Sequence, residues 1–447
     1  MIAAWIQLAV ALGAGAADDT RFCEVPADCK ADEACVAFLC QRGSDRARVA
    51  RLYKIAVAPP VVARPDRVSR AAAKRLYAQI LSDLRWSGFY EVVGEEGLPA
   101  GWRLEGASTS EVRRPIWQEQ GLYRTVKIAM APAAGGRLRV RIHAIDVERF
   151  GFLALPEGEV TVAPGEMRAL AARWVNALIG ADTGVAGAAG SRIVGATQVA
   201  PGVKEIAVID VHGEGYRRVT DDENLNLGPA WGPGGKIGWM SYRSGNPDWV
   251  VDGEPLSTRP GLNAAGAWSP DGKYLALSVA EGGDSELVLL EAQTGAEYAR
   301  LTDDRAVDTS PAWSPDGKRM AFVSDRSGRP QIWILSLQGG PLVQLTAEGY
   351  NTSPTWSPLG DTIVYARQGG GGNFSLMRHD LDTGQTRRLT DGAKSAESPT
   401  FSPDGRYIAY ALKGEGGSRL WIMHADGRGA RAVDPDDRSF FSPDWER

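Results

Sequence analysis

Cysteine and histidine are scarce in this chain, and their placement excludes several chemistries. The 447 residues hold four cysteines, all between Cys23 and Cys40, and four histidines. Zinc sites usually carry a Cys-x-x-Cys pair, which is absent, and no histidine lies near the cysteines. His143, His212, His379 and His424 have no cysteine or acidic neighbour at ligand spacing and read as strand or surface histidines. The Gly-x-Ser-x-Gly elbow of a hydrolase is missing; Gly106–Ser110 (GASTS) fails at its last position. The Gly369–Gly372 run lacks the Lys-Ser/Thr of a phosphate loop and reads as a flexible loop. No catalytic residue, metal site or cofactor is therefore expected. Basic excess is lacking too: 50 Lys/Arg against 55 Asp/Glu leaves a formal charge of −5, which argues against nucleic-acid binding.

Long apolar runs are nearly absent. Met1–Ala17 is apolar but too short to span a bilayer, and it breaks at Asp18-Asp19 after Ala14-Gly15-Ala16. Residues 1–17 read as a signal peptide cleaved near Ala16 or Ala17. The mature chain is expected to be exported, without a transmembrane span. In an oxidising compartment, Cys23, Cys29, Cys35 and Cys40 favour two disulfides over a metal. Three pairings are open, Cys23–Cys35 with Cys29–Cys40 being one. Arg42 to Arg75 carries ten Lys/Arg against Asp45 and Asp66. That run is a solvated linker and helix surface, or a contact to an acidic partner.

What the chain has in abundance is a repeat. AWGPGG, AWSPDG twice, TWSPLG and TFSPDG recur from Ala230 to Gly405, and FFSPDW ends the chain. Numbered by aromatics, the anchors are Trp231, Trp268, Trp313, Trp356, Phe401 and Phe441, with steps of 37, 45, 43, 45 and 40 residues. A period near 40 fits one four-stranded unit, the mark of a β-propeller. Within Ser310–Thr346 the pattern predicts four strands, a tight Asp316-Gly317 turn, a polar loop and a Gly339-Gly340 turn. The anchor aromatics are expected to wedge between sheets. Too few residues follow Phe441 for a blade, so Ser191–Gln198, Lys204–Val211 and Arg217–Thr220 are expected to complete the sixth.

Strand direction then sorts the loops. Turns after strands one and three share one face and are tight; connections after two and four share the other and are long and varied. Asn226, Asn263, Asp308, Thr309, Asn351, Thr352, Ala396 and Glu397 precede or open the innermost strands and are expected to ring the channel mouth. Residues 51–180 read as a small α/β domain. Strands are predicted at Tyr53–Val57, Tyr90–Val93, Arg124–Met130, Arg137–Val147 and Gly158–Val162, and helices at Ser69–Trp86, Glu111–Gln120 and Glu166–Ile179. The expected fold class is an all-β six-bladed propeller (191–447) behind an α/β domain (51–180). A cysteine-rich segment and basic linker (18–50) precede that domain, and a Gly/Ala linker (181–190) follows it.

The Trp-Ser-Pro-Asp-Gly repeats, SDRSGRPQIW (Ser324–Trp333) and DLRWSGFYEV (Asp83–Val92) together resemble the TolB family of the periplasmic Tol–Pal system, from about Arg51 onward. The resemblance implies a monomeric, non-enzymatic adaptor. Its propeller would bind the peptidoglycan-associated lipoprotein Pal, and its N-terminal region the inner-membrane protein TolA. It would support envelope integrity and constriction at division. By motif match the family's Pal contacts fall on Leu262, Asn263, Thr309 and Ser310, of which Leu262 and Ser310 differ from the polar or acidic residues of better-known members. The cysteine element before Tyr53 departs from the family's short strand-forming start. Two rival readings are a secreted propeller binding glycan or another envelope protein, and a propeller-bearing hydrolase.

Overall fold

The computed structural model describes residues 33–36, 39–42, 53–98, 102, 117, 120–149, 151–280, 283–415, 417–434, 436 and 438–447. The expected signal peptide and most of the helix at Glu111–Gln120 lie outside them. So do Cys23 and Cys29. Glu33–Val36 pairs antiparallel with Leu39–Arg42, which sets Cys35 opposite Cys40 in backbone register. The expected disulfides concern side chains outside the described residues.

Six four-stranded antiparallel sheets follow residue 190. Their innermost strands are Asn226–Trp231, Leu262–Trp268, Asp308–Trp313, Tyr350–Trp356, Ala396–Phe401 and Phe441–Trp445, here blades one to six. Each innermost strand packs against the next, and the sixth against the first, so the ring is closed. Blade six takes its other strands, Arg192–Ala200, Val203–Asp210 and Arg217–Arg218, from the start of the propeller. Closure leaves short, protected sheet edges.

One expectation is corrected. The sixth anchor is Trp445, not Phe441, so the last step is 44 residues rather than 40. Trp445 is fully buried between Tyr407, Leu420 and Ile422 of blade five and Ile193 and Ile209 of blade six. Trp356 lies likewise between Val323 and Ile332 of blade three and Ile363 and Tyr365 of blade four. Each innermost strand carries a register shift three residues before its anchor. Gly228, Ala265, Ser310, Ser353, Ser398 and Ser442 hold positive φ at that place. The Ser-Pro of FFSPDW is this kink, ahead of the anchor. In AWSPDG the Ser-Pro follows the anchor as a turn. The two Ser-Pro pairs look alike in sequence, which misplaced the phase.

The chain divides into two compact units. The first comprises residues 1–58, 88–126 and 145–152. In it Tyr53–Val57 lies parallel to Tyr90–Val93 and to the start of Arg124–Pro132. Buried Arg124 there makes a short ion pair with Asp146. The second unit holds 59–87, 127–144 and the rest of the chain. There Leu138–Arg141 pairs with Glu159–Val162, and helices α1 (Arg67–Trp86) and α2 (Met167–Thr183) pack together. Asp66 caps α1: Ser69 N–H donates to its carboxylate at 2.7 Å and Asp66 N–H to Ser69 Oγ at 2.9 Å. α1 buries Ala72, Ala73, Leu76, Ile80 and Leu84 along one stripe. α2 ends at Gly184 in the left-handed region.

Candidate docking face

The ends of α1 and α2 mark one face of the propeller. Within the second unit, α1 ends on the tight-turn side of blades five and six. Tyr407 donates its hydroxyl to the carbonyl of Ser87 at 2.5 Å and stacks on Trp86 at 4.6 Å. His212, in the turn after Val203–Asp210, meets Asp83 at 2.6 Å. Arg168 of α2 pairs with Asp210 at 3.0 Å and Glu214 at 2.6 Å. Arg406 reaches Thr183 Oγ1 at 2.5 Å. Sequence reading gave His212 no acidic neighbour. Its partner stands 129 positions away, and the available signal was a carboxylate on the apolar stripe of α1. The His212–Asp83 contact joins α1 to blade six.

The long connections crowd the opposite face. Burial there divides the ten expected contact residues. Asn226, Asn263, Asp308, Asn351 and Ala396, each five before its anchor, are fully buried. The three asparagines tie blades together. Asn226 Nδ2 donates to Lys204 O at 3.2 Å and Asp222 Oδ1 at 2.8 Å, and its Oδ1 accepts from Trp239 Nε1 at 3.0 Å. Asn263 Nδ2 donates to the Arg259 carbonyl at 2.8 Å. Asn351 Nδ2 donates to Gln331 Oε1 at 2.7 Å. Asp308 accepts from Arg326 at 2.6 Å, while its Oδ1 and the nearby-strand Glu286 Oε2 are buried without a hydrogen bond. A polar residue at a strand entrance reads as a solvated cap, but here the previous blade covers it, and a buried polar group must find partners.

The other five face solvent in part. Leu262, Thr309, Ser310, Thr352 and Glu397 are half-buried. Counting four back from each anchor gives Leu227, Ala264, Thr309, Thr352, Glu397 and Phe441, among which Glu397 is the single charge. Its carboxylate accepts from Ser395 Oγ at 2.5 Å. Lys204 Nζ lies 3.8 Å from the centre of the Phe441 ring, and burial lowers its pKa from the ordinary lysine range. Phe441, first read as an anchor, thus belongs to the mouth. Exposed Val307 and Tyr350 open the next ring outward, six and six residues before Trp313 and Trp356. Among the described residues, no group of three or more His, Cys, Asp or Glu is arranged to hold a metal ion. No helix among them is long and apolar enough to cross a membrane.

These features define a closed six-bladed β-propeller whose tight-turn face is, within the second unit, partly occupied by helices. Residues 181–447 match the TolB beta propeller domain, and the chain belongs to that family. It is 32% identical over 247 residues to the Tol-Pal system protein TolB of Anaeromyxobacter dehalogenans strain 2CP-C, covering 54% of this chain and 56% of that one. The Tol-Pal system protein TolB of Desulfosudis oleivorans is 32% identical over 261 residues, covering 56% and 58%. The chain thus spans little more than half the length of these relatives. The crystal structure of TolB from Acinetobacter baumannii superposes with a TM-score of 0.75 at 27% identity, covering 88% of this chain and 96% of that one.

Proposed function

We propose that this chain is a non-enzymatic adaptor of a Tol–Pal type envelope system, acting in the periplasm. Its loop face binds a Pal-like peptidoglycan-associated lipoprotein, and residues 51–180 link it to TolA-like inner-membrane proteins. Residues 191–447 form the docking module in this reading. The observation that carries it is the asymmetry of the propeller within the second unit: helix ends occupy the tight-turn side at blades five and six, whereas the loop side offers Leu262, Thr309, Ser310, Thr352 and Glu397. The rigid scaffold with variable loops is a common basis for protein docking. The names of the relatives supply the system.

Calorimetric titration with the soluble domain of the Pal-like lipoprotein from the same envelope tests this. Wild-type chain is expected to bind. Thr309→Arg and Glu397→Lys are expected to weaken binding by about tenfold or more, as central contacts do. Asp271→Lys, in a tight turn on the other face, is expected to leave it unchanged. Absence of wild-type binding, or loss of binding from Asp271→Lys alone, would overturn the proposal.

A further inference from the structure

In three blades the entrance to the third strand carries a long polar residue that meets the next blade. Glu205, Glu286 and Gln331 hold this place in blades six, two and three. The residue after each marks the equivalence. Ile206, Leu287 and Ile332 donate their N–H to Thr220, Thr302 and Thr346 at 2.8, 2.9 and 2.9 Å. The next blade answers with the residue five before its anchor: Asn226, Asp308 or Asn351. At two of these joints an amide donates across. Asn351 Nδ2 donates to Gln331 Oε1 at 2.7 Å, and Asn226 Nδ2 to Glu205 Oε2 at 3.4 Å. Asn351 Oδ1 in turn accepts from Arg367 at 3.0 Å.

Between blades two and three the asparagine is replaced by Asp308. Its Oδ2 accepts from Arg326 at 2.6 Å, as Asn351 Oδ1 does from Arg367. That leaves Oδ1 in the place of the amide nitrogen, which at the equivalent joints points to the residue matching Glu286. The backbones touch: Asp308 N–H donates to the Ser285 carbonyl at 2.7 Å, and the Ser285 hydroxyl to the Asp308 carbonyl at 3.0 Å. Asp308 is 0% and Glu286 6% exposed, and Asp308 Oδ1 and Glu286 Oε2 are buried without a hydrogen-bond partner. Three charged groups adjoin the pair. Asp304 donates its N–H to Glu286 Oε1 at 2.8 Å and shares Arg326 at 3.0 Å, while Asp325 accepts from the Val307 N–H at 2.8 Å. Asp284, Asp303 and Arg305 flank them in exposed positions.

Two carboxylates facing each other out of water repel, and each lone pair lacks a donor. Arg326 is already engaged by Asp304 and Asp308 through their other oxygens. We propose that Glu286 and Asp308 share one proton, as an Oδ1–H···Oε2 hydrogen bond that closes the joint between blades two and three. The proton belongs to the pair rather than to either residue. It does what the Asn351 amide does one joint further on. Unlike an amide hydrogen, it is lost as pH rises, and two like charges then stand face to face. The joint is thus a pH-sensitive latch. Thr309 and Ser310 follow Asp308 on the same strand, so the latch holds the mouth at blade three.

The test compares the full wild-type chain with Asp308→Asn and, independently, Glu286→Gln. Each variant replaces the shared proton with an amide donor, and Asp308→Asn keeps an oxygen for Arg326, as Asn351 does for Arg367. A proton held by the folded pair and released on unfolding makes wild type lose stability as pH rises. Both variants are therefore expected to melt about 3 °C or more above wild type at pH 8, and within about 1 °C of it at pH 5. Using the difference between chains cancels the other titrating groups. Infrared spectra at pH 7 read the proton directly. Wild type minus either variant is expected to show the C=O stretch of a protonated carboxyl group. A melting difference that is flat in pH, or a difference spectrum with carboxylate bands alone, overturns the proposal; a water bridging two carboxylates would give that result. Calcium and magnesium salts are the remaining arm. If either raises wild type to the level of Asp308→Asn at pH 8, a cation fills the joint and the shared proton is wrong.

Discussion

Blades three and six make the same sheet by different means. In blade three all four strands follow one another from Asp308 to Gln344. The tight turn after Trp313 fixes the register, with Ser314 donating to Asp316 at 2.6 Å and Gly317 at φ 68°. In blade six no turn joins the innermost strand to the second; they come from opposite ends of the propeller. Side chains set the register instead. Trp231 N–H donates to Asp444 Oδ2 at 2.7 Å, and Thr400 Oγ1 to Asp444 Oδ1 at 3.2 Å, so one carboxylate grips both neighbouring blades. Arg192 and Glu446 form a two-point pair with a 2.5 Å contact, and Trp445 Nε1 donates to Ser191 at 2.7 Å. The position equivalent to Ala230, Ala312 and Thr355 thus carries Asp444. Where chain connectivity does not impose a register, specific polar contacts do.

Bulk is exchanged between the two blades as well. Phe440 occupies the place that Asp308 holds in blade three, and Gly195 the place of Phe322. A Cβ on Gly195 would come within 2.1 Å of the Phe440 ring. The inner strand of blade six supplies the ring, and its neighbour yields the space.

The largest expected effect tests which aromatic closes the ring. Trp445→Ala should destabilise by roughly 3–5 kcal/mol, comparable to Trp313→Ala, whereas half-exposed Phe441→Ala should lose about 1 kcal/mol. Urea unfolding reads the difference, and a larger loss for Phe441 would restore the other phase. Next comes Gly195→Ala. Overpacking against Phe440 should destabilise by about 2–3 kcal/mol, while the added methyl of Gly384→Ala, in an open turn, meets nothing and should act through positive φ alone, at about 1 kcal/mol. Equal losses would show that blade six relaxes freely.

Asp444→Ala leaves the Trp231 amide without its acceptor and should cost about 1–3 kcal/mol at pH 7. Its pH dependence has the opposite sense to that of the turn carboxylates. Burial pushes the Asp444 carboxyl above 3.8. Its protonated form is therefore favoured on folding: that contribution is complete below 3.8 and fades as pH rises through the higher native value. Asp271, which accepts from Ser269 and the Lys273 N–H, is lowered to about 2, so its contribution is present above 3.8 and is lost as pH falls through about 2. Between pH 3 and 8 the melting temperature of wild type should fall relative to that of Asp444→Asn as pH rises above 3.8. A flat difference would mean that the carboxylate is not isolated from water. The smallest effect is expected from a double-mutant cycle on Arg192 and Glu446, both part-exposed, with a coupling of roughly 0.5–1 kcal/mol. A coupling near zero would leave Asp444 and Trp445 as the sole fasteners tested.

Most of the architecture was legible because it repeats. Six Trp/Phe phrases at a spacing near 40 imply six sheets, and Gly at the second position of each tight turn marks where the strand reverses. α1 was legible from Leu76, Ile80 and Leu84, but its start was placed at Ser69, two residues late, because the Asp66 cap was not read. The expected contact residues were legible only as positions. Local pattern cannot tell Asn226, which donates across a blade boundary, from Thr352, which faces the mouth, because both are polar residues at strand entrances. His212 and Asp83 were invisible as a pair for the same reason: neither carries a local mark of its distant partner.

What the sequence by itself determined is periodic: the number of blades, the three strands at the start of the propeller that finish the last one, and the division into tight and long connections. These follow from turn chemistry and from alternating apolar residues, which act over a few neighbours. The tertiary structure decided what depends on contacts between distant segments. It chose Trp445 over Phe441 as the closing wedge, buried four of the polar residues at the strand entrances, and set α1 against blades five and six through Tyr407 and His212. Burial and hydrogen-bond pairing are properties of the packed whole, because a side chain is covered or exposed only once the neighbouring blade stands beside it.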